Sequence, residues 1–135
     1  MKRTFLLDTN HLGAAINPVS PLRERLGQQH RQGVRFRTCI PVICELEVGI
    51  QDSSHVDSYR RQLHHLNRKV KLIPLNLDIV QHYGQVYREL RRMGRVLSQV
   101  DMLLAAMVRH LKWTLLTADR DFEALPDVRT ENWLV

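Results

Sequence analysis

Several features that commonly announce a function are missing from this chain. It has no glycine-rich phosphate loop, no His-Glu-x-x-His pattern and no Ser-His-Asp arrangement. P-loop nucleotide chemistry, zinc-protease chemistry and triad hydrolysis are thereby set aside. Only two cysteines occur, Cys39 and Cys44, and they form no metal-ligand pattern. In apolar surroundings both are expected to be small buried hydrophobes in a reducing compartment. No apolar stretch approaches membrane-spanning length, and the N-terminus lacks a signal peptide's apolar region. A cytoplasmic protein with no membrane partner is expected. Internal repeats, low-complexity segments and linkers are also absent.

The 135 residues suffice for one domain, expected to span 1–135 and to bury roughly two-thirds of its unfolded surface. Hydrophobic content of 44% and charged content of 25% are ordinary for a globular chain. Lys and Arg outnumber Asp and Glu by 20 to 14, for a net charge of +6 and a pI of about 9.9. That surplus favours a polyanionic partner through counterion release.

The opening run, Lys2-Arg3-Thr4-Phe5-Leu6-Leu7, is apolar on both faces and breaks off at Asp8. Such a run suits the centre of a parallel sheet covered on both sides. A short segment, His11 to Ile16, is closed by Asn17-Pro18. Pro21 opens a helix to about Arg31, with Gly33 as its stop. Val34, Phe36, Thr38 and Ile40 alternate with Arg35, Arg37 and Cys39 as a second strand, and Pro41 begins a helix through Ile50. Asp52-Ser53-Ser54 offers caps for a polar helix from Val56 to Arg68. Val70, Leu72 and Ile73 form a third strand stopped by Pro74. Ile79, Tyr83, Val86 and Leu90 then make one helical stripe with Val80 and Tyr87 beside it, ended by Gly94. Ser98 caps a helix from Gln99 to Leu111 that is apolar almost all round and therefore buried. Trp113 to Thr117 is a fourth strand, and the Val128 to Trp133 region supplies a fifth. Strands alternating with helices require an α/β fold with a parallel sheet between helical layers.

In such a sheet the strand C-termini and the N-termini of the following helices share one edge, where ligands bind. Asp8 ends the first strand, Glu45 sits one turn into the helix after the second, and Asp119 follows the fourth. Asp101 lies in the first turn of the buried helix and joins them only if that helix is aimed at the same edge. Each acid has a plain structural reading. Asp8 suits a helix cap, Ser98-x-x-Asp101 matches a capping box, and Asp119 and Asp121 suit a turn. Glu45 could be solvated; Glu47 lies about 200° away and cannot share its face. The common placement of the four favours function. Carboxylates at close range repel, and no Lys or Arg is committed to them, so Mg²⁺ or Mn²⁺ is the natural occupant. Such a site can activate water and stabilise charge on a phosphodiester.

Four stretches carry a family resemblance: Leu7-Asp8-Thr9-Asn10; Cys44-Glu45-Leu46 with Gly49; Ser98-Gln99-Val100-Asp101-x-x-Leu104-Ala105-Ala106; and Leu116-Thr117-Ala118-Asp119-Arg120-Asp121-Phe122. In order and spacing they resemble the motifs of PIN-domain nucleases, above all the VapC-type toxins of bacterial toxin–antitoxin pairs. The resemblance implies a three-layer α/β/α fold with a four- to five-stranded sheet in the order 3-2-1-4-5. It implies metal-dependent RNA cleavage, a homodimer, and a cognate antitoxin that blocks the acidic pocket, with hetero-oligomers of the two proteins. By position, Asp8, Glu45 and Asp101 match the family's main acids. Asp119 matches a more variable fourth, which Asp121 could share or replace. Asn10 and Thr117 match positions that support the site. Val96 departs from the proline that relatives often carry there.

Two basic stretches could track an RNA backbone: Arg60 to Lys71, and Arg88, Arg91, Arg92 and Arg95. The second leads directly toward Asp101. His11 is expected in a solvent or packing role. Two non-catalytic readings compete. A receiver-like phospho-acceptor would need a paired acid early in the chain and a late lysine, and neither is present. A PIN-like fold kept only for binding would not need its full set of acids.

Overall fold

Phe5, Leu6 and Leu7 have no exposed face, as a run apolar on both sides demands of a central strand. A computed structural model describes residues 3–134 and places this strand, β1 (Thr4–Leu7), in the middle of a parallel sheet. Lys2, at the start of the opening run, and the two ends of the 1–135 span lie outside the described residues. The other strands are β2 (Arg35–Thr38), β3 (Val70–Leu72), β4 (Thr114–Leu116) and β5 (Thr130–Glu131). Among the described residues the sheet has five strands in the order β3-β2-β1-β4-β5.

The helices are α1 (Thr9–Ala15), α2 (Pro21–Arg31), α3 (Ile40–Gln51), α4 (Val56–Leu66), α5 (Leu77–Arg92) and α6 (Gln99–Leu111). A 3₁₀ turn follows over Arg120–Ala124. Packing joins α1 to α2 and α3, and α3 to α4, while α5 lies along α6. Ile79, Val86 and Leu90 turn inward from α5, and six residues of α6 are buried. Gly33 and Gly94 stop their helices with positive φ, a conformation that suits a residue without a Cβ.

Several local expectations shift. Ile40, expected in the second strand, instead opens α3 and is exposed. Ser53 does not cap α4; its hydroxyl donates to the carbonyl of Ile50 at 2.7 Å and closes α3 instead. The cap of α4 is His55, with no side-chain bond. Cys39 is buried but Cys44 is exposed, because α3 turns Val42, Leu46 and Ile50 inward and Cys44 falls on the other side. The third strand ends at Leu72, although the Ile73 amide still bonds the Thr38 carbonyl at 3.0 Å.

The chain reverses direction across the sheet between β1 and β4, which are direct neighbours with Leu7 opposite Leu116. One residue further on, the Asp8 amide bonds the Leu116 carbonyl at 3.1 Å. This is the topological switch point, where open α/β sheets leave a crevice.

Candidate active site

A cavity of about 290 Å³ opens at that point, lined by Asp8, Thr9, Asn10, Glu45, Ser98, Asp101 and Asp119. All four acids singled out from the sequence therefore face one space. α6 is aimed at the edge, which the sequence left open.

Each acid is held by its own local structure. Asp8 is 6% exposed and caps α1, its Oδ1 accepting from the His11 amide at 2.8 Å. Glu45 stands on the exposed side of α3, and the Thr9 hydroxyl donates to its Oε1 at 2.6 Å. Ser98 caps α6 by accepting from the Asp101 amide at 3.1 Å, which fixes the turn that carries Asp101. Thr117 is buried and its Oγ1 accepts from the Asp119 amide at 3.1 Å. Asp119 in turn accepts from the Asp121 amide at 2.8 Å and caps the 3₁₀ turn. The capping reading of Asp8 and the turn reading of Asp119 are thus real, and both acids still line the cavity. Asp121 does not; it lines a neighbouring cavity with Arg95, Arg120 and Glu123. Glu47 pairs with Arg60 and Gln51, away from Glu45.

The electrostatics follow from this arrangement. Burial pushes the Asp101 carboxyl above its ordinary range; hydrogen bonding to it by the Ser98 side chain opposes that, and Asp119, Glu45 and Asp8 add to the rise. Among the described residues no Lys or Arg forms an ion pair with any of the four acids. No three His, Cys, Asp or Glu side chains among the described residues close into a ready chelate. The donor set nonetheless suits a hard cation: carboxylates with the hydroxyl and amide oxygens of Thr9, Ser98 and Asn10. Mg²⁺ in particular keeps several waters and needs only one or two carboxylates.

Two contacts were missed from the sequence. Thr9 falls within a motif, but its bond to Glu45 spans two elements and has no local signal. Of the two roles expected for His11, burial excludes the solvent one and agrees with packing: it is fully buried, and in addition its Nδ1 lies 3.0 Å from Asp8 Oδ1. Its spacing held a signal, since the third residue after a helix cap is where the cap's acceptor bonds.

Beyond the acids, a larger, mainly apolar groove of about 380 Å³ runs between α1 and α3 and shares Thr9, Asn10 and Glu45 with the acid cavity. Arg88, Arg91, Arg92 and Arg95 are exposed, and Arg95 borders the cavity beside Asp121. In the first basic stretch Arg60 is tied to Glu47.

Sheet order and cavity together define an α/β protein with an acid-lined crevice at its switch point. The PIN domain family model matches residues 5–128, and the chain belongs to that family. It is 28% identical over 133 residues to the tRNA(fMet)-specific endonuclease VapC of Shigella flexneri, covering 96% of this chain and 97% of that protein. Among solved structures it superposes on VapBC2 from Rickettsia felis, bound to a DNA fragment from its promoter, with a TM-score of 0.85. Identity there is 23%, covering 96% of this chain and 98% of the other. DNA-bound VapBC from Salmonella typhimurium gives a TM-score of 0.84 at 24% identity, covering 98% and 99%. At that identity the structural likeness speaks for the fold. The receiver-like reading fails on it too, because those domains follow the order 2-1-3-4-5.

Proposed function

We propose that this chain is a metal-dependent endoribonuclease, the toxin of a toxin–antitoxin pair, hydrolysing RNA phosphodiester bonds in the cytoplasm until a cognate antitoxin blocks it. The observation that carries the reading is the meeting of Asp8, Glu45, Asp101 and Asp119 around one cavity with no Lys or Arg partner among the described residues. The VapC and VapBC relatives support the same reading. Among the described residues no helix is long and apolar enough to cross a membrane.

Asp8, Asp101, Glu45 and Asp119 would hold Mg²⁺ or Mn²⁺. When bound, the ion supplies a Lewis acid that activates water and offsets charge developing on the phosphodiester. The chain's own part is positioning. Ser98 sets Asp101, Thr117 sets Asp119 and Thr9 orients Glu45, while Asn10 lends a further oxygen donor at the rim. Arg88, Arg91, Arg92 and Arg95 hold the RNA backbone, and Arg95 leads it to the acids.

The groove between α1 and α3 is the surface we assign to the antitoxin, since whatever fills it also covers Glu45. A second copy of the chain is assigned to the first turn of α5, where Leu77 and Val80 are exposed side by side.

The test is cleavage of a total RNA preparation by the purified chain in EDTA, then with Mg²⁺ or Mn²⁺ restored, with and without a candidate antitoxin encoded by any small gene found beside this one. Cleavage that needs the ion and stops with the partner is expected. RNA binding in EDTA without cleavage on restoring Mg²⁺ would favour a binding-only PIN-like module instead.

A further inference from the structure

His11 is fully buried and stands behind Asp8, which lines the acid cavity. Both ring nitrogens are engaged. Nε2 lies 3.1 Å from the backbone N–H of Trp133. A backbone N–H can only donate, so Nε2 holds its lone pair and the ring proton sits on Nδ1. Nδ1 therefore donates to Asp8 Oδ1 at 3.0 Å. The His11 amide donates to that same oxygen at 2.8 Å. Among the described residues Oδ2 receives no bond, so the two donors settle which oxygen of Asp8 is left for the cavity.

The far end of this relay is firmly anchored. The Trp133 ring packs on Phe5 at 4.9 Å and Phe36 at 5.8 Å between centroids, and the Arg25 guanidinium covers it at 3.9 Å. Its Nε1 donates to Glu131 at 3.0 Å. Trp133 lies beyond the 5–128 stretch that matches the family model, so the link draws on a part of this chain outside that match.

We propose that neutral His11, protonated on Nδ1, is a positioning residue that orients Asp8 for its cation and ties that orientation to the C-terminal segment through Trp133. The proposal rests on the metal reading above. Hydrogen-bond partners of ligating carboxylates commonly set metal affinity by roughly 10- to 100-fold. An asparagine at this position can offer an N–H where Nδ1 stood, whereas leucine fills the space and offers none.

Two measurements test it. Ring ¹⁵N spectra of the wild-type chain without metal should show one histidine fixed with its proton on Nδ1, and His11→Leu should remove that signal. Mn²⁺ titration should then show affinity about tenfold weaker or worse in His11→Leu and restored to within about threefold in His11→Asn. A purely structural role would lower the melting temperature of both variants and leave the Mn²⁺ affinity of the folded protein unchanged. A ring proton on Nε2, or wild-type affinity in His11→Leu, overturns the proposal while the metal reading stands. Failure of the wild type to take up Mn²⁺ overturns both.

Discussion

The Thr9 hydroxyl donates to Oε1 of Glu45 at 2.6 Å, so the residue after the first acid orients the second. Thr9 sits at the start of α1 and Glu45 in α3. One hydrogen bond thereby joins two of the elements that frame the cavity.

Thr9→Val keeps the volume and removes that donor. Both partners are at the surface rim, so the stability change should stay within about 0.5 kcal/mol. Mn²⁺ affinity and RNA cleavage should fall roughly tenfold together. Thr9→Ser should recover both. Unchanged Mn²⁺ affinity in Thr9→Val would show that Glu45 needs no such support.

Asp101 should reveal the tension between stability and activity. Its folded-state carboxyl is raised by burial first and by Asp119, Glu45 and Asp8 after that. The folded chain therefore holds this proton more tightly than the unfolded chain. Stability without metal should fall as pH rises from the ordinary aspartate range through the raised value, and the full cost persists above it. Asp101→Asn removes the charge, so at neutral pH the metal-free variant should melt higher than wild type. Half-exposure limits the gain to about 1 kcal/mol. The same variant should lose Mn²⁺ binding. Thermal melts in EDTA across the acid range, beside a metal titration, check both signs.

The arginines of α5 and its C-terminal loop should act as phosphate contacts without sequence preference. Arg91→Ala and Arg95→Ala should each weaken RNA binding and reduce the slope of log affinity against log salt by about one. Filter binding of a catalytically silenced chain over a salt series measures it. An unchanged slope would assign these side chains to a solvated face.

Strong hydrophobic periods were readable from the amino-acid sequence. Phe5 to Leu7, the Ile79–Leu90 stripe and the apolar helix bearing Asp101 stand where their patterns put them, because burial dictates those patterns. Weaker signals were overridden by neighbours. Ser53 donates to the Ile50 carbonyl and accepts from the His55 amide, ahead of the first turn of α4. Cys44 looked buried from its apolar company but lies on the outer side of α3. Asp8, Glu45 and Asp119 share an edge by topology alone, whereas the aim of α6 is a matter of tertiary packing. The role of His11 was out of reach for a simpler reason: its second partner lies 122 residues away. Caps and cavity-lining acids also coincide here, so no local rule could separate the cap that Asp8 makes from its place in the cavity.

Asp8→Asn is the most direct test of the central claim, that this cavity is a metal-dependent nuclease centre. Asparagine caps a helix as well as aspartate does and can still accept from the His11 amide, so the fold should survive. Cleavage of RNA should be measured in Mg²⁺ and Mn²⁺ at equal folded concentrations of both proteins, verified by circular dichroism and melting. Cleavage should fall at least about a hundredfold. An Asp8→Asn chain that cuts RNA as fast as wild type would contradict the assignment of this cavity.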